Sequence, residues 1–199
     1  MHTKYTFLTA LAVVGLAFGS VACTDDGGNT EDMETSTGDG DGDPATGDGD
    51  GDASGVDEAA IIAEAQGYKD WVLINADPFQ SAGHDGGMAV VNIYVPQAAA
   101  DQYRAIDPAN PVETTFAEGT IIVKEHVDDA GEYVMATVMA KGPEGYSEGS
   151  GDWWWGMGDL AGGALDASGP DLMGCIGCHS AYPTTDWLVG VPADQQTAP

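Results

Sequence analysis

GTIIVKEHVDDAGEYVMATVMAK, residues 119–141, reads as two β-strands and the turn that joins them. Apolar and β-branched residues dominate Gly119 to Val127 and Glu132 to Lys141, and Asp128-Asp129-Ala130-Gly131 between them is a strong hairpin signal. Successive side chains of a strand point to opposite faces, so Thr120, Ile122, Lys124 and His126 share one face and Ile121, Val123, Glu125 and Val127 the other. Lys124 and His126 then stand about 6.5–7 Å apart along the strand, both facing whatever lies on that side.

The flanking sequence extends this sheet. Met88 to Val95 is another β-rich run, and Pro96 suits the first residue of a short helix reaching about Arg104. Trp153-Trp154-Trp155 reads as a further strand, with Trp153 and Trp155 on one face and Trp154 on the other. Upstream, Asp57 is placed to cap a helix whose apolar positions Ala60, Ile61, Ala65 and Tyr68 recur at helical spacing, ending near Trp71. A Gly/Asp-rich loop carrying His84 follows, whose imidazole is either a distal group or else a cap of that loop or solvated. These elements predict an α+β domain, a small and mostly antiparallel sheet with short helices at its ends.

This domain is only part of a chain of 199 residues with 33 acidic and 5 basic side chains and a formal charge of −28. Such a polyanion lacks the basic patch that displaces counterions from phosphates, which excludes nucleic acid and acidic lipid surfaces as partners. Residues 1–22 read as a secretory signal, with Lys4 in the n-region, an apolar stretch from Phe7 to Phe18 and small residues before Cys23. The stretch is too short to span a bilayer. Ser20-Val21-Ala22-Cys23 resembles a lipobox with Ser where Leu is usual, so Cys23 is expected to be acylated; the alternative is an ordinary signal peptide cleaved elsewhere. Either reading exports the chain, and the first makes it a periplasmic, lipid-anchored lipoprotein. Residues 23–58 then form an acidic Gly/Asp-rich linker, since the repeats Gly38 to Asp43 and Gly47 to Asp52 repel themselves and offer no apolar side chains. Its Asp-x-Asp-x-Asp runs miss the Gly and the final Glu of a calcium loop. Residues 59–199 are left as the folded domain.

The chemistry concentrates in Cys175-Ile176-Gly177-Cys178-His179. In a C-x-x-C-H motif two thiols add to haem vinyl groups and the adjacent imidazole ligates iron. A zinc site would need a second ligand pair, and a redox dithiol a thioredoxin-like βα setting. One haem c, held by Cys175 and Cys178 with His179 on its iron, is the expectation.

The order of Tyr68-Lys69-Asp70-Trp71, Gly119-Thr120-Ile121-Ile122-Val123-Lys124-Glu125, the Cys175 to His179 motif and Thr185-Asp186-Trp187-Leu188 resembles the cytochrome P-460 family, over about Ala59 to Leu188. The resemblance implies a mostly β, homodimeric, periplasmic mono-haem protein with an open iron site opposite the proximal His179. Members oxidise hydroxylamine, passing electrons to a small acceptor protein, and relatives of the cytochrome c′-β type bind nitric oxide and other small gases. Lys124 falls where the family's lysine bonds to the porphyrin edge; taken without the family, it reads as an edge-strand lysine or a partner of Glu125.

One departure bears on activity. Hydroxylamine-oxidising members carry a carboxylate on the next strand, whereas Tyr133 to Ala140 contains no acid and the register puts Thr137 near that place. A hydroxyl does not accept protons at neutral pH. Hydroxylamine oxidation is therefore in doubt and nitric oxide binding favoured, unless His84, His126, Glu144 or Glu148 substitutes; His126 lies on the right face, so Thr137 and His126 are the candidate distal residues. Two further readings stay open, an electron-transfer cytochrome with Met135, Met139 or Met157 on the iron, and a non-enzymatic gas sensor. The Trp153 to Trp155 run reads either as packing or as a wall of the haem pocket.

Overall fold

The structure is a computed structural model and describes residues 55–84, 87 and 89–199. The signal segment, Cys23 and the acidic linker up to residue 54 lie outside the described residues.

One antiparallel sheet organises the domain. Its strands are β1 (Val72–Leu73), β2 (Phe79–Gln80), β3 (Val90–Val95), β4 (Ile121–Val127), β5 (Tyr133–Lys141), β6 (Trp153–Asp159) and β7 (Ala164–Gly169). The order is β1-β3-β4-β5-β6-β7, and β2 also pairs with β3. β1 meets Tyr94 and Val95 while β2 meets Val90 and Val91, so the two short strands act as one interrupted edge strand. The α+β expectation holds: three short helices, α1 (Glu58–Ala65), α2 (Gln97–Arg104) and α3 (Met173–His179), pack on this sheet.

The predicted hairpin forms at Asp128 to Gly131. The Asp128 carboxylate accepts from the amides of Ala130 at 2.8 Å and Glu132 at 2.9 Å, and Gly131 takes φ +80°. Val127 pairs with Tyr133 but His126 with Met135, so Val134 is an extra residue in β5. This bulge sends Tyr133 and Met135 to opposite faces, which an unbroken alternation would not do. A second irregularity at Gly158, φ +143°, would bring a Cβ within 2.5 Å of the Asp166 amide, so glycine is required there.

Both faces are covered. One carries Ile93, Val95, Ile122, Met139, Trp153 and Trp155, packed by Ala99, Ala100 and Tyr103 of α2 and by Cys175 and Ile176 of α3. The other carries Tyr94, Ile121, Val123, Val138 and Trp154 against Ile61 and Ala65 of α1. The three tryptophans alternate as expected and are at most 1% exposed.

Several element boundaries differ from the expectation: β4 begins at Ile121 rather than Gly119 and β5 at Tyr133 rather than Glu132. The first helix stops at Ala65 because Gln66 and Gly67 end it, and Tyr68–Asp70 is a separate 3-10 turn; Asp57 does cap it, accepting from the Ala60 amide at 3.0 Å. Pro96 is extended, with ψ 146°, so it caps α2 rather than opening it, its carbonyl accepting from the Ala99 amide at 2.9 Å. β3 begins at Val90, after an Ala89 that belongs to the preceding loop.

Candidate functional site

The motif Cys175-Ile176-Gly177-Cys178-His179 closes α3. Residues three and four apart on a helix share a face, so both thiols and the imidazole project the same way. They border a cavity of about 670 Å³ whose remaining wall includes His126 of β4, Met135 and Thr137 of β5, Met157 of β6 and, from the loop after β2, His84. An adjoining cavity of about 510 Å³ shares His84, Cys178 and His179 and adds Lys124 and Tyr182. A small recess between them reaches Trp155, again past His84, Lys124 and His179.

The sheet presents its groups in rows. Ile93, Lys124, Thr137 and Met157 are successive cross-strand partners, and the next row is Val91, His126 and Met135. Thr137 thus lies directly across from Lys124, and His126 lies one row further on the face it shares with Lys124, the shared face being what the alternation predicts. Two readings of Lys124 fall away: β4 is an interior strand, and Glu125 faces the opposite side, where Lys69 and Tyr68 hold it. Burial lowers the Lys124 pKa to about 8, the nearby thiols of Cys175 and Cys178 opposing the drop.

His179 is fixed by its surroundings. Its Nδ1 lies 2.6 Å from the Trp187 carbonyl and its ring packs edge-on to Trp155 with centroids 5.0 Å apart. Asp186 and Trp187 both adopt positive φ, 52° and 67°, an uncommon backbone for such residues. The Asp186 carboxylate sustains it, accepting from Lys141 at 2.6 Å and from the Phe116 amide at 2.7 Å, while its carbonyl accepts from the Trp153 indole at 2.9 Å. Burial, then the Lys124 charge, lowers the His179 pKa to about 4, so the ring is neutral at ordinary pH. Burial likewise pushes the Cys175 thiol up.

The family model described as Cytochrome P460 matches residues 65–189, from the end of α1 past the C-x-x-C-H helix. The chain belongs to the Cytochrome P460 family. Membership makes it a cytochrome of the c-type haem class. No curated protein matches the chain.

The residues present fit a haem. With Nδ1–H donated to the Trp187 carbonyl, His179 keeps its Nε2 lone pair for a metal, and the carbonyl raises the basicity of the ring. Two thiols flank it on one helix face, and the buried indole N–H of Trp155, beside His179, finds no acceptor among the described residues. Trp155 therefore has the pocket-wall reading, while Trp154 packs on the far face.

His84, read from the sequence as a stand-in for the missing carboxylate or else as a cap of its loop or solvated, has its Nδ1 2.8 Å from Ser81 Oγ of that loop and its ring at the cavity. It is built into the cavity wall, edge-on to His126 with centroids 5.1 Å apart and 6.5 Å from the His179 ring. Burial, then the Lys124 charge, lowers its pKa to about 3. The only sequence signal was a lone His in a Gly/Asp-rich run, which says nothing about where the loop folds. Glu144 and Glu148 do not line the cavity, and Met139 reaches only the inner recess.

Proposed function

We propose that the chain is an exported mono-haem c-type cytochrome that binds small nitrogen oxides, nitric oxide foremost, at the iron face opposite His179. The observation that carries this reading is the convergence of Cys175, Cys178 and His179 from one helix face on a cavity of about 670 Å³ walled by Thr137 and His126.

Cys175 and Cys178 would hold the cofactor by adding their S–H groups across its two vinyl double bonds, a redox-neutral attachment. His179, held by Trp187 and kept neutral by burial, would supply Nε2 as the proximal ligand. The haem, when bound, supplies an iron that takes a nitrogen ligand and exchanges single electrons. Lys124, with a pKa near 8, holds a substantial neutral fraction at mildly alkaline pH, as an amine must to bond to a porphyrin edge. That bond releases two electrons and two protons and so calls for an oxidant such as a peroxide. Thr137 opposite Lys124 can donate or accept a hydrogen bond but does not take up a proton at neutral pH. Met135, Thr137 and Met157 put no carboxylate on the strand wall, and the two acids that also line the cavity, Asp128 and Asp129, sit in the hairpin turn, where Asp128 already accepts from the Ala130 and Glu132 amides; this favours binding of nitric oxide over oxidation of hydroxylamine.

Acylation at Cys23, periplasmic location, a homodimer and a small electron-acceptor protein belong to the same proposal. Detergent partitioning that vanishes in Cys23→Ala supports the anchor; equal partitioning of both proteins removes it.

The test of the central reading is haem stoichiometry after denaturing extraction, with a spectrum of the ferrous protein. One covalently retained haem is expected, lost in the Cys175→Ala, Cys178→Ala double variant. A proteolytic digest decides Lys124: a Lys124 peptide joined through haem to the Cys175 to His179 peptide supports the cross-link, and a free Lys124 peptide from fully loaded protein overturns it.

A further inference from the structure

Two imidazoles on opposite sides of one metal, each bonded at about 2.0–2.1 Å, have ring centroids roughly 6 Å apart. His84 and His179 have centroids 6.5 Å apart, with ring planes inclined at 80°. Each has its Nδ1 already engaged by a protein oxygen: His179 with the Trp187 carbonyl at 2.6 Å, His84 with Ser81 Oγ at 2.8 Å. When Nδ1–H is the donor, the nitrogen left with a lone pair is Nε2 in both rings, the arrangement usual for metal-bound histidines.

Other contacts fix His84 in this place. The Ser81 hydroxyl belongs to a residue only 8% exposed, and the backbone around it is tied down by Ser81 N–H to the Ala89 carbonyl at 2.8 Å and His84 N–H to the Ser81 carbonyl at 3.0 Å. A Cβ on Gly83 would lie 3.5 Å from Cys178 Sγ, so the loop backbone runs beside the thiol of the attachment motif. His126 braces the ring from the sheet side at 5.1 Å. His84 and His179 border all three hollows of the site, whereas Met135 and Met157 border only the largest and Met139 only the small recess.

We infer that His84 is the second axial ligand of the iron in the resting protein, giving a bis-histidine haem in which His84 competes with incoming small ligands. The inference rests on the haem reading above. The open side expected from the apolar and hydroxyl character of β5 is then a side that opens when an exogenous ligand displaces His84. Ser81 is a positioning residue, since its hydroxyl holds the tilt of the ring from the Nδ1 side and leaves Nε2 toward the iron. Displacement lowers the apparent affinity for nitric oxide by the fraction of molecules in which His84 is off the iron.

The experiment is electron paramagnetic resonance and near-infrared magnetic circular dichroism of the oxidised, haem-loaded full chain, with covalent haem quantified in the same sample. Wild type is expected to be low-spin with the near-infrared band of bis-histidine ligation, which needs no variant and separates this pairing from histidine with methionine or lysine. His84→Ala is expected to turn high-spin, to return to low-spin on adding imidazole, and to bind nitric oxide in the ferrous state about tenfold faster, as for a site that His84 fills nine-tenths of the time. His126→Ala is expected to stay low-spin, and Ser81→Ala to show a mixed population. High-spin wild type with haem attached, a band of another ligand pair, or low-spin His84→Ala overturns the inference and leaves the haem reading standing. Absence of covalent haem from wild type overturns both.

Discussion

Lys124 and Glu125 are neighbours on one strand and their surroundings are opposite. Glu125 is 1% exposed on the α1 face, where Tyr68 at 2.8 Å, Asn92 at 3.2 Å, Tyr94 at 3.3 Å and Lys69 all donate to it. Lys124, on the cavity face, is desolvated and has Ile93 and Thr137 as its cross-strand partners. A buried charge with its partners supplied is a structural joint, and one desolvated beside a cavity is a reagent held in reserve. The alternation of a single strand is enough to separate the two roles.

The largest effect expected from breaking this contrast is at the joint. Glu125→Ala leaves Tyr68, Tyr94 and Asn92 without their acceptor and is expected to cost about 3 kcal/mol in urea unfolding, whereas Lys124→Met is expected to stay within about 1 kcal/mol. Comparable losses for the two variants would dissolve the distinction. Asp186→Ala comes next, at about 2 kcal/mol, because Lys141 and the Phe116 amide lose their acceptor. It should also alter the haem spectrum, since the backbone carrying the Trp187 carbonyl loses its anchor; unchanged absorption would detach that anchor from His179.

Acid and base separate the pair further. Burial alone would raise the Glu125 pKa, but the hydrogen bonds from Lys69, Tyr68 and Asn92 outweigh it and leave the group below the ordinary carboxylate value. The stabilisation it gives is present above the unfolded carboxyl pKa and is lost as pH falls through the folded one. Lys124 works in another window. With a folded pKa of about 8 against an ordinary 10.5, the unfolded chain binds more protons between those values, so stability of haem-free protein rises with pH there. Urea midpoints against pH should lose the acid limb in Glu125→Gln and the alkaline rise in Lys124→Met. The smallest effect is expected from Tyr68→Phe, about 1 kcal/mol with an unchanged haem spectrum.

Sequence legibility followed the same line. The hairpin, the two faces of β4 and the alternation of the tryptophans were readable, because strand alternation and turn chemistry are local, whereas the pairing of Lys124 with Thr137 depends on the extra residue Val134, which neither encodes. The C-x-x-C-H motif was readable as a spacing, though not as the end of a helix, since Met173 to Cys178 carries two glycines and little helical patterning. β1, β2 and β7 escaped notice for a different reason. Two are two-residue strands, and Ala164-Leu165-Asp166-Ala167-Ser168-Gly169 is held by pairing with β6 rather than by its own preferences. His84 was named among four stand-ins for the carboxylate but not singled out, because loop placement depends on contacts such as Gly83 against Cys178 that no local pattern encodes.

The hairpin has one more consequence. Asp128 and Asp129, the residues that turn β4 into β5, also stand on the rim of the 670 Å³ cavity. A pair of carboxylates at a low-dielectric opening raises the local concentration of cations and lowers that of anions, most strongly at low ionic strength. Neutral small molecules pass such a rim unopposed, while an anion meets the same barrier whichever way it crosses. The turn that closes the sheet is in this sense also a charge filter, one that admits neutral small molecules ahead of anions.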